Sequence, residues 1–154
     1  MNNPPFQRFL DAHREDVWRF LVASVGRDAA DDCFQETFLA AMRAYPRTRI
    51  DKPRAWVLTI AHRKALDHHR ARARRAVPVG AVPDVPAPPE PERHGDGVWE
   101  RVGDLPPKQR AALLLRFAGD LSHREVANAM GVSEEAARRS AHEGLKRLRE
   151  ELAT

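Results

Sequence analysis

Apolar residues recur at helical spacing along most of the chain and show no sustained alternation of the kind a half-buried strand would give. Phe6, Phe9, Leu10, Val17, Phe20, Leu21 and Val25 predict a first helix over about residues 5–25, broken at Gly26. Ala30, Cys33, Phe34, Thr37, Phe38, Ala41, Met42 and Tyr45 predict a second, with Asp28 as its N-cap and Pro46 as its stop. A third starts near Pro53, a residue suited to a first helical turn, and buries Trp56, Leu58, Ile60, Ala61, Ala65 and Leu66. Its tail, RARARR at 70–75, has no apolar residue larger than alanine and should leave the core as a basic rod.

The pattern then stops. Residues 76–97 hold six of the chain's 12 prolines and three glycines, and have neither period, so they predict an extended, semi-stiff linker. Helical spacing resumes with a short helix near Val98–Val102 and a helix set by Pro106 and Pro107 that carries Leu113, Leu114, Leu115 and Phe117 inward to Ala118. Ser122 and Glu125 have the spacing of a capping box. Gly131 follows as a left-handed stop, and Ser133 caps a last helix that runs to about Leu152. The reading is all-α: two small helical domains, 1–75 and 98–154, joined by the Pro-rich linker 76–97.

Charge sharpens this picture. The net +4 is uneven: residues 1–76 carry fifteen Lys and Arg against nine Asp and Glu (+6), residues 77–97 carry −3, and residues 98–154 carry +1. The first segment is therefore the electrostatic candidate for a polyanion partner. No apolar run approaches the roughly 18 residues of a membrane span, and the N-terminus MNNPPFQRFLDAHRED lacks the apolar core of a signal peptide, so a cytoplasmic protein without membrane insertion is expected. The single cysteine, Cys33, excludes an internal disulfide and falls on an apolar helix face. No glycine-rich phosphate loop, H-E-x-x-H or nucleophile elbow is present, which argues against an enzyme. His62, His68 and His69 lack metal-ligand spacing, so neither a metal nor a cofactor is expected.

Ala127, Gly131, Val132 and Ala137 have the spacing of a helix-turn-helix, in which a small residue lets two helices approach and a glycine makes the turn. Taken alone, this stretch also fits a structural hairpin. Four stretches in order carry a more specific likeness: DAADDCFQETFLAAMRAYPR (28–47), PRAWVLTIAHRKALDHHRARARR (53–75), LPPKQRAALLLRF (105–117) and LSHREVANAMGVSEEAARRSAHEGLKRLREEL (121–152). Together they resemble a bacterial RNA polymerase sigma factor of the extracytoplasmic-function (ECF) type, in its minimal two-domain form.

The resemblance implies a DNA-binding transcription-initiation subunit that directs polymerase core to promoters. The first domain would bind core and the −10 element, and the second the −35 element. It implies that Asp32, Gln35 and Glu36 face the clamp helices of the polymerase large subunit. The −10 candidates are Arg54, Trp56, His62, Arg63, Lys64, Arg70, Arg72, Arg74 and Arg75, a basic track with an aromatic stacking platform. The −35 candidates are Ser133, Glu134, Glu135, Arg138, Arg139, Ser140 and His142. Arg63 stands where the family commonly has asparagine, and Ser140 replaces a common arginine. An anti-sigma protein is an expected further partner. The competing readings are a helix-turn-helix regulator acting without polymerase and a helical interaction adaptor. The long tether argues against the first, because dimeric regulators need fixed half-site spacing. Gly144, inside the last helix, costs about 1 kcal/mol relative to alanine, with no reason visible in the sequence.

Overall fold

The computed structural model describes residues 3–76 and 98–153; the expected linker lies almost wholly outside them. The described residues are helical, with no strand among them. Three long helices make the N-terminal unit: α1 (Phe6–Val25), α2 (Arg27–Ala44) and α3 (Pro53–Ala76). The C-terminal unit has α4 (Val98–Gly103), α5 (Pro107–Leu113), α6 (His123–Met130) and α7 (Glu134–Ala153).

The N-terminal unit is a bundle in which each helix packs on the other two. Its core is Phe9, Val17, Phe20, Leu21, Phe38, Val57 and Leu58, all buried. Gly26 joins α1 to α2 at φ 84°, a backbone state that an L side chain strains to adopt, and its N–H closes α1 on the Val22 carbonyl. Glycine thus takes the N-cap position expected for Asp28, which sits inside the first turn, where a carboxylate favours the helix dipole. At the other end, Phe6, Phe9, Tyr45 and Trp56 stack or meet edge to face, with neighbouring centroids 5.1–6.3 Å apart. The Tyr45 hydroxyl donates to the Pro4 carbonyl, and Asn3 Nδ2 donates to the Thr48 carbonyl at 2.8 Å. These bonds tie the start of the chain across the α2–α3 turn.

In the C-terminal unit the expected capping box is complete. Ser122 Oγ accepts from the Glu125 N–H, and Glu125 Oε1 accepts from the Ser122 N–H, each at 3.1 Å. Gly131 ends α6 in the left-handed region at φ 69°. Ser133 Oγ accepts from the Ala136 N–H at 3.1 Å and caps α7. Gly144 is a close-approach residue: a Cβ there would stand 3.0 Å from Leu113 Cδ1 and 3.2 Å from Gln109 Cβ. Its absence lets α7 lie tight against α5.

A second expectation fails. The helix that begins at Pro107 widens into a π-helical turn over Leu114–Ala118, where the Gly119 N–H reaches back to the Leu114 carbonyl. Leu113, Leu114 and Leu115 are all buried, while Phe117, expected inside, is 58% exposed. The wider turn changes the angular register after Leu114, so the outward position falls on Phe117.

The two units touch. α4 packs on α1, and α6 and the π-helical turn pack on α3. Lys52 Nζ donates to Glu125 Oε1 in an ion pair of 3.0 Å.

Candidate nucleic-acid interface

On α2 the buried side is Ala30, Cys33, Thr37, Phe38 and Ala41, and Thr37 satisfies its hydroxyl by donating to the Cys33 carbonyl at 2.6 Å. Asp32, Gln35 and Glu36 point the other way, and all three are exposed. Leu39 and Met42 lie on that same outer face at 47% and 48% exposure. Sequence reasoning placed Met42 inside and passed over Leu39. A helix position about 100° from the centre of the apolar stripe is readable as either side, and only packing decides it. The outer face of α2 is thus a polar and apolar surface, suited to a protein partner better than to solvent alone.

An open groove of about 920 Å³ separates this helix from the end of α3. One wall carries Asp28, Asp32 and Glu36 with Arg27, and the other carries Lys64, Arg72, Arg74 and Arg75 with Asp67. The basic tail therefore has carboxylates opposite it across the groove, which the sequence did not reveal. Cys33 lines the groove floor and is itself buried, and burial, with Glu36 and Asp32 nearby, pushes its thiol above the ordinary range. Such a thiol is a packing residue in its resting chemistry.

The other −10 candidates divide by environment. Arg63, Arg70 and Arg74 are exposed along one stripe of α3. Arg54 is held to α1 by an ion pair of its Nε to Asp16 Oδ2 at 3.2 Å. Trp56 is half-buried in the aromatic cluster, 5.7 Å from Phe9, so only part of its indole can meet a base. His62 departs from expectation: it is 5% exposed, edge-on to Phe20 at 6.5 Å. Burial, with Arg63 and His69 beside it, lowers its pKa to about 4, so it is neutral at pH 7 and offers DNA no charge.

On α7, Ala137, Ala141, Gly144 and Leu148 face the core. Glu134, Glu135, Arg138, Arg139 and His142 are exposed, and Ser140 is half-buried. Ser133, whose hydroxyl serves as the cap, flanks them. Glu134 Oε1 holds Arg138 at 3.3 Å, one turn on. Lys146, exposed on the stripe that carries Arg139 and His142, was not singled out from the sequence; the step of four from His142 is its signal. The second helix of the helix-turn-helix thus presents a row of cations and a histidine behind an acidic first turn.

Comparison with known proteins agrees with this architecture. The chain matches Sigma-70 region 2 over residues 9–75 and Sigma-70, region 4 over residues 96–148. The ECF RNA polymerase sigma factor SigD of Mycobacterium tuberculosis is 38% identical over 159 residues, covering 93% of this chain and 74% of that protein. The RNA polymerase sigma factor CarQ of Myxococcus xanthus is 32% identical, covering 94% of this chain and 87% of its own. Among solved structures, the sigma factor RpoE in a co-crystal with the anti-sigma factor NepR from Bartonella quintana shares the fold, with a TM-score of 0.77, 21% identity and 97% of each chain covered. With two sigma-70 regions in order and relatives of this similarity, the chain belongs to the ECF RNA polymerase sigma factors, which direct promoter-specific initiation of transcription.

Proposed function

We propose that the sigma activity is divided between three surfaces. The outer face of α2, with Asp32, Gln35, Glu36, Leu39 and Met42, seats on the clamp helices of the polymerase large subunit. Its two carboxylates and amide can form charge-assisted hydrogen bonds with arginines, and its two apolar side chains supply area. The exposed arginines of α3 (Arg63, Arg70, Arg72, Arg74 and Arg75), with the accessible part of Trp56, track and stack on the −10 strand. The α7 row of Arg138, Arg139, His142 and Lys146 enters the −35 major groove. One arginine bidentate to guanine there contributes about 1–3 kcal/mol of discrimination. In this division 1–75 serves core and −10, 98–154 serves −35, and an anti-sigma protein is a further partner that competes for one of these surfaces.

The observation that carries the reading is the exposed α2 face. Leu39 and Met42 stand in solvent beside three polar residues, while the opposite side of the same helix is fully packed. Gln35→Ala combined with Glu36→Arg should lower affinity for purified core at least tenfold in a pull-down and leave the far-ultraviolet circular dichroism unchanged. Undiminished core binding by that variant refutes the assignment.

A further inference from the structure

Arg54 differs from the exposed arginines farther along α3, because a carboxylate already holds it. Phe9, His13 and Asp16 follow one another on α1 at steps of four and three, and so share one stripe. The first turn of α3 lies on that stripe. Trp56 meets the Phe9 ring edge to face at 5.7 Å, and Arg54 Nε lies 3.2 Å from Asp16 Oδ2. Between these two contacts the His13 ring lies 5.0 Å from that of Phe9, centroid to centroid. Burial pushes the His13 pKa below its ordinary range and the Arg54 charge adds to this, so at pH 7 the imidazole is neutral and does not compete with Arg54 for the carboxylate. One face of α1 thus holds a stacking ring and a guanidinium in fixed relation at the start of α3.

The ion pair does not use Arg54 up. Its side chain is 49% exposed, and that of Asp16 28%. A guanidinium has five N–H donors in a planar fork, and a bidentate pair with one carboxylate engages two of them, so three remain. What the pair changes is the kind of acceptor that suits those three. Asp16 offsets the charge of Arg54, which weakens its pull on a phosphate, and the same carboxylate repels phosphate oxygens. The donors keep their direction, and a side chain ordered beforehand loses less freedom on binding. Directed donors with little net charge suit a neutral base edge that offers two acceptors, as guanine does with O6 and N7.

We propose that Arg54 reads a guanine of the −10 element, with Asp16 as the positioning residue that aims its guanidinium. The inference rests on the −10 reading of α3 and adds a division of labour to it. The arginines farther along the helix track phosphates, whereas the one held by Asp16 confers base preference beside the Trp56 ring.

The test uses holoenzyme made from the full chain and purified core, and measures binding to a promoter set with every base at each −10 position. Arg54→Ala should lower the preference for guanine at one −10 position by about fivefold or more and leave the salt dependence of binding unchanged. Asp16→Asn, which keeps the shape and loses the charge, should lower the same preference by about threefold or more. Combined with Arg54→Ala it should add nothing, because the aspartate acts through the arginine; a loss caused by a damaged fold would persist in that background. An unchanged preference in either single variant, or a further loss in the double variant, overturns the proposal. So does a uniform loss over all sequences with a shallower salt slope in Arg54→Ala, which would make Arg54 a phosphate contact. Parent holoenzyme without any −10 base preference overturns instead the −10 reading on which the proposal rests.

Discussion

Gly144 and Glu134 show how much a single position on α7 can carry. Alanine in place of Gly144 would gain up to about 1 kcal/mol of helix propensity, but its Cβ would press on Leu113 Cγ at 3.2 Å and on Gln109 Cβ at 3.2 Å. The second of these is fixed to the backbone of α5 and cannot turn away. Gly144→Ala is therefore expected within about 1 kcal/mol of the parent, the two effects offsetting. Gly144→Val adds two methyl groups to the same gap and should destabilise by about 2 kcal/mol or more in urea unfolding; a valine variant as stable as the parent would remove the close-approach account. Glu134 acts locally as well. It stands in the first turn of α7 and pairs with Arg138, an exposed contribution of roughly 0.2–0.5 kcal/mol. If α7 carries the proposed −35 surface, Glu134→Gln removes a negative charge from it and releases the arginine, so −35 affinity should rise about two- to threefold, by the same factor on every −35 sequence, in a fluorescence-polarisation titration with holoenzyme. A gain confined to one base substitution would show instead that the carboxylate reads a base.

At the scale of elements, the helices and the caps of the C-terminal unit were legible in the sequence because their signals are local, whereas at α2 Gly26 took the cap position expected for Asp28. The Ser122–Glu125 box, the left-handed Gly131 and the Pro53 start each follow from one residue type at one spacing. What was not legible depends on register and packing. The π-helical turn has no residue signature, so Leu113 to Phe117 read as one buried run although Phe117 turns out to solvent. On α2 the same ambiguity put Met42 inside. His62 followed its neighbours into the basic track, because a histidine between a core alanine and an arginine reads equally as contact or packing. The exposed setting of Phe117 gives a direct check. Its ring keeps a cation–π contact with Arg116 at 5.5 Å, which at an exposed site contributes about 0.5–1 kcal/mol. Phe117→Gln should therefore cost no more than about 1 kcal/mol in thermal or urea unfolding, whereas a buried phenylalanine in an unbroken α-helix would cost several times that. A large loss would restore the α-helical register that the sequence suggested.

Over the whole molecule, buried His62 and half-buried His13 and His69 make stability depend on pH in one direction. His62 lies under Phe20 from α1 and is flanked on its own helix by Arg63 and His69, and its pKa falls to about 4 from 6.5. His13 and His69 are lowered as well: burial leads in both, Arg54 adds to it at His13, and the Ser24 carbonyl bond opposes it at His69. For each, the unfolded chain takes up a proton that the folded chain refuses. Stability from this source is complete above pH 6.5, falls as pH drops below that value, and levels off for His62 near pH 4. At about 1.4 kcal/mol per pH unit, His62 alone accounts for roughly 2 kcal/mol between pH 6.5 and pH 5. Urea midpoints measured at pH 7.5 and pH 5 should fall accordingly, and His62→Phe, which keeps a ring against Phe20 and cannot titrate, should recover about that amount of the difference. An equal drop in the variant would mean that His62 carries its proton at little cost. That outcome would also contradict the burial of His62 against Phe20, which leads the causes that hold its ring neutral.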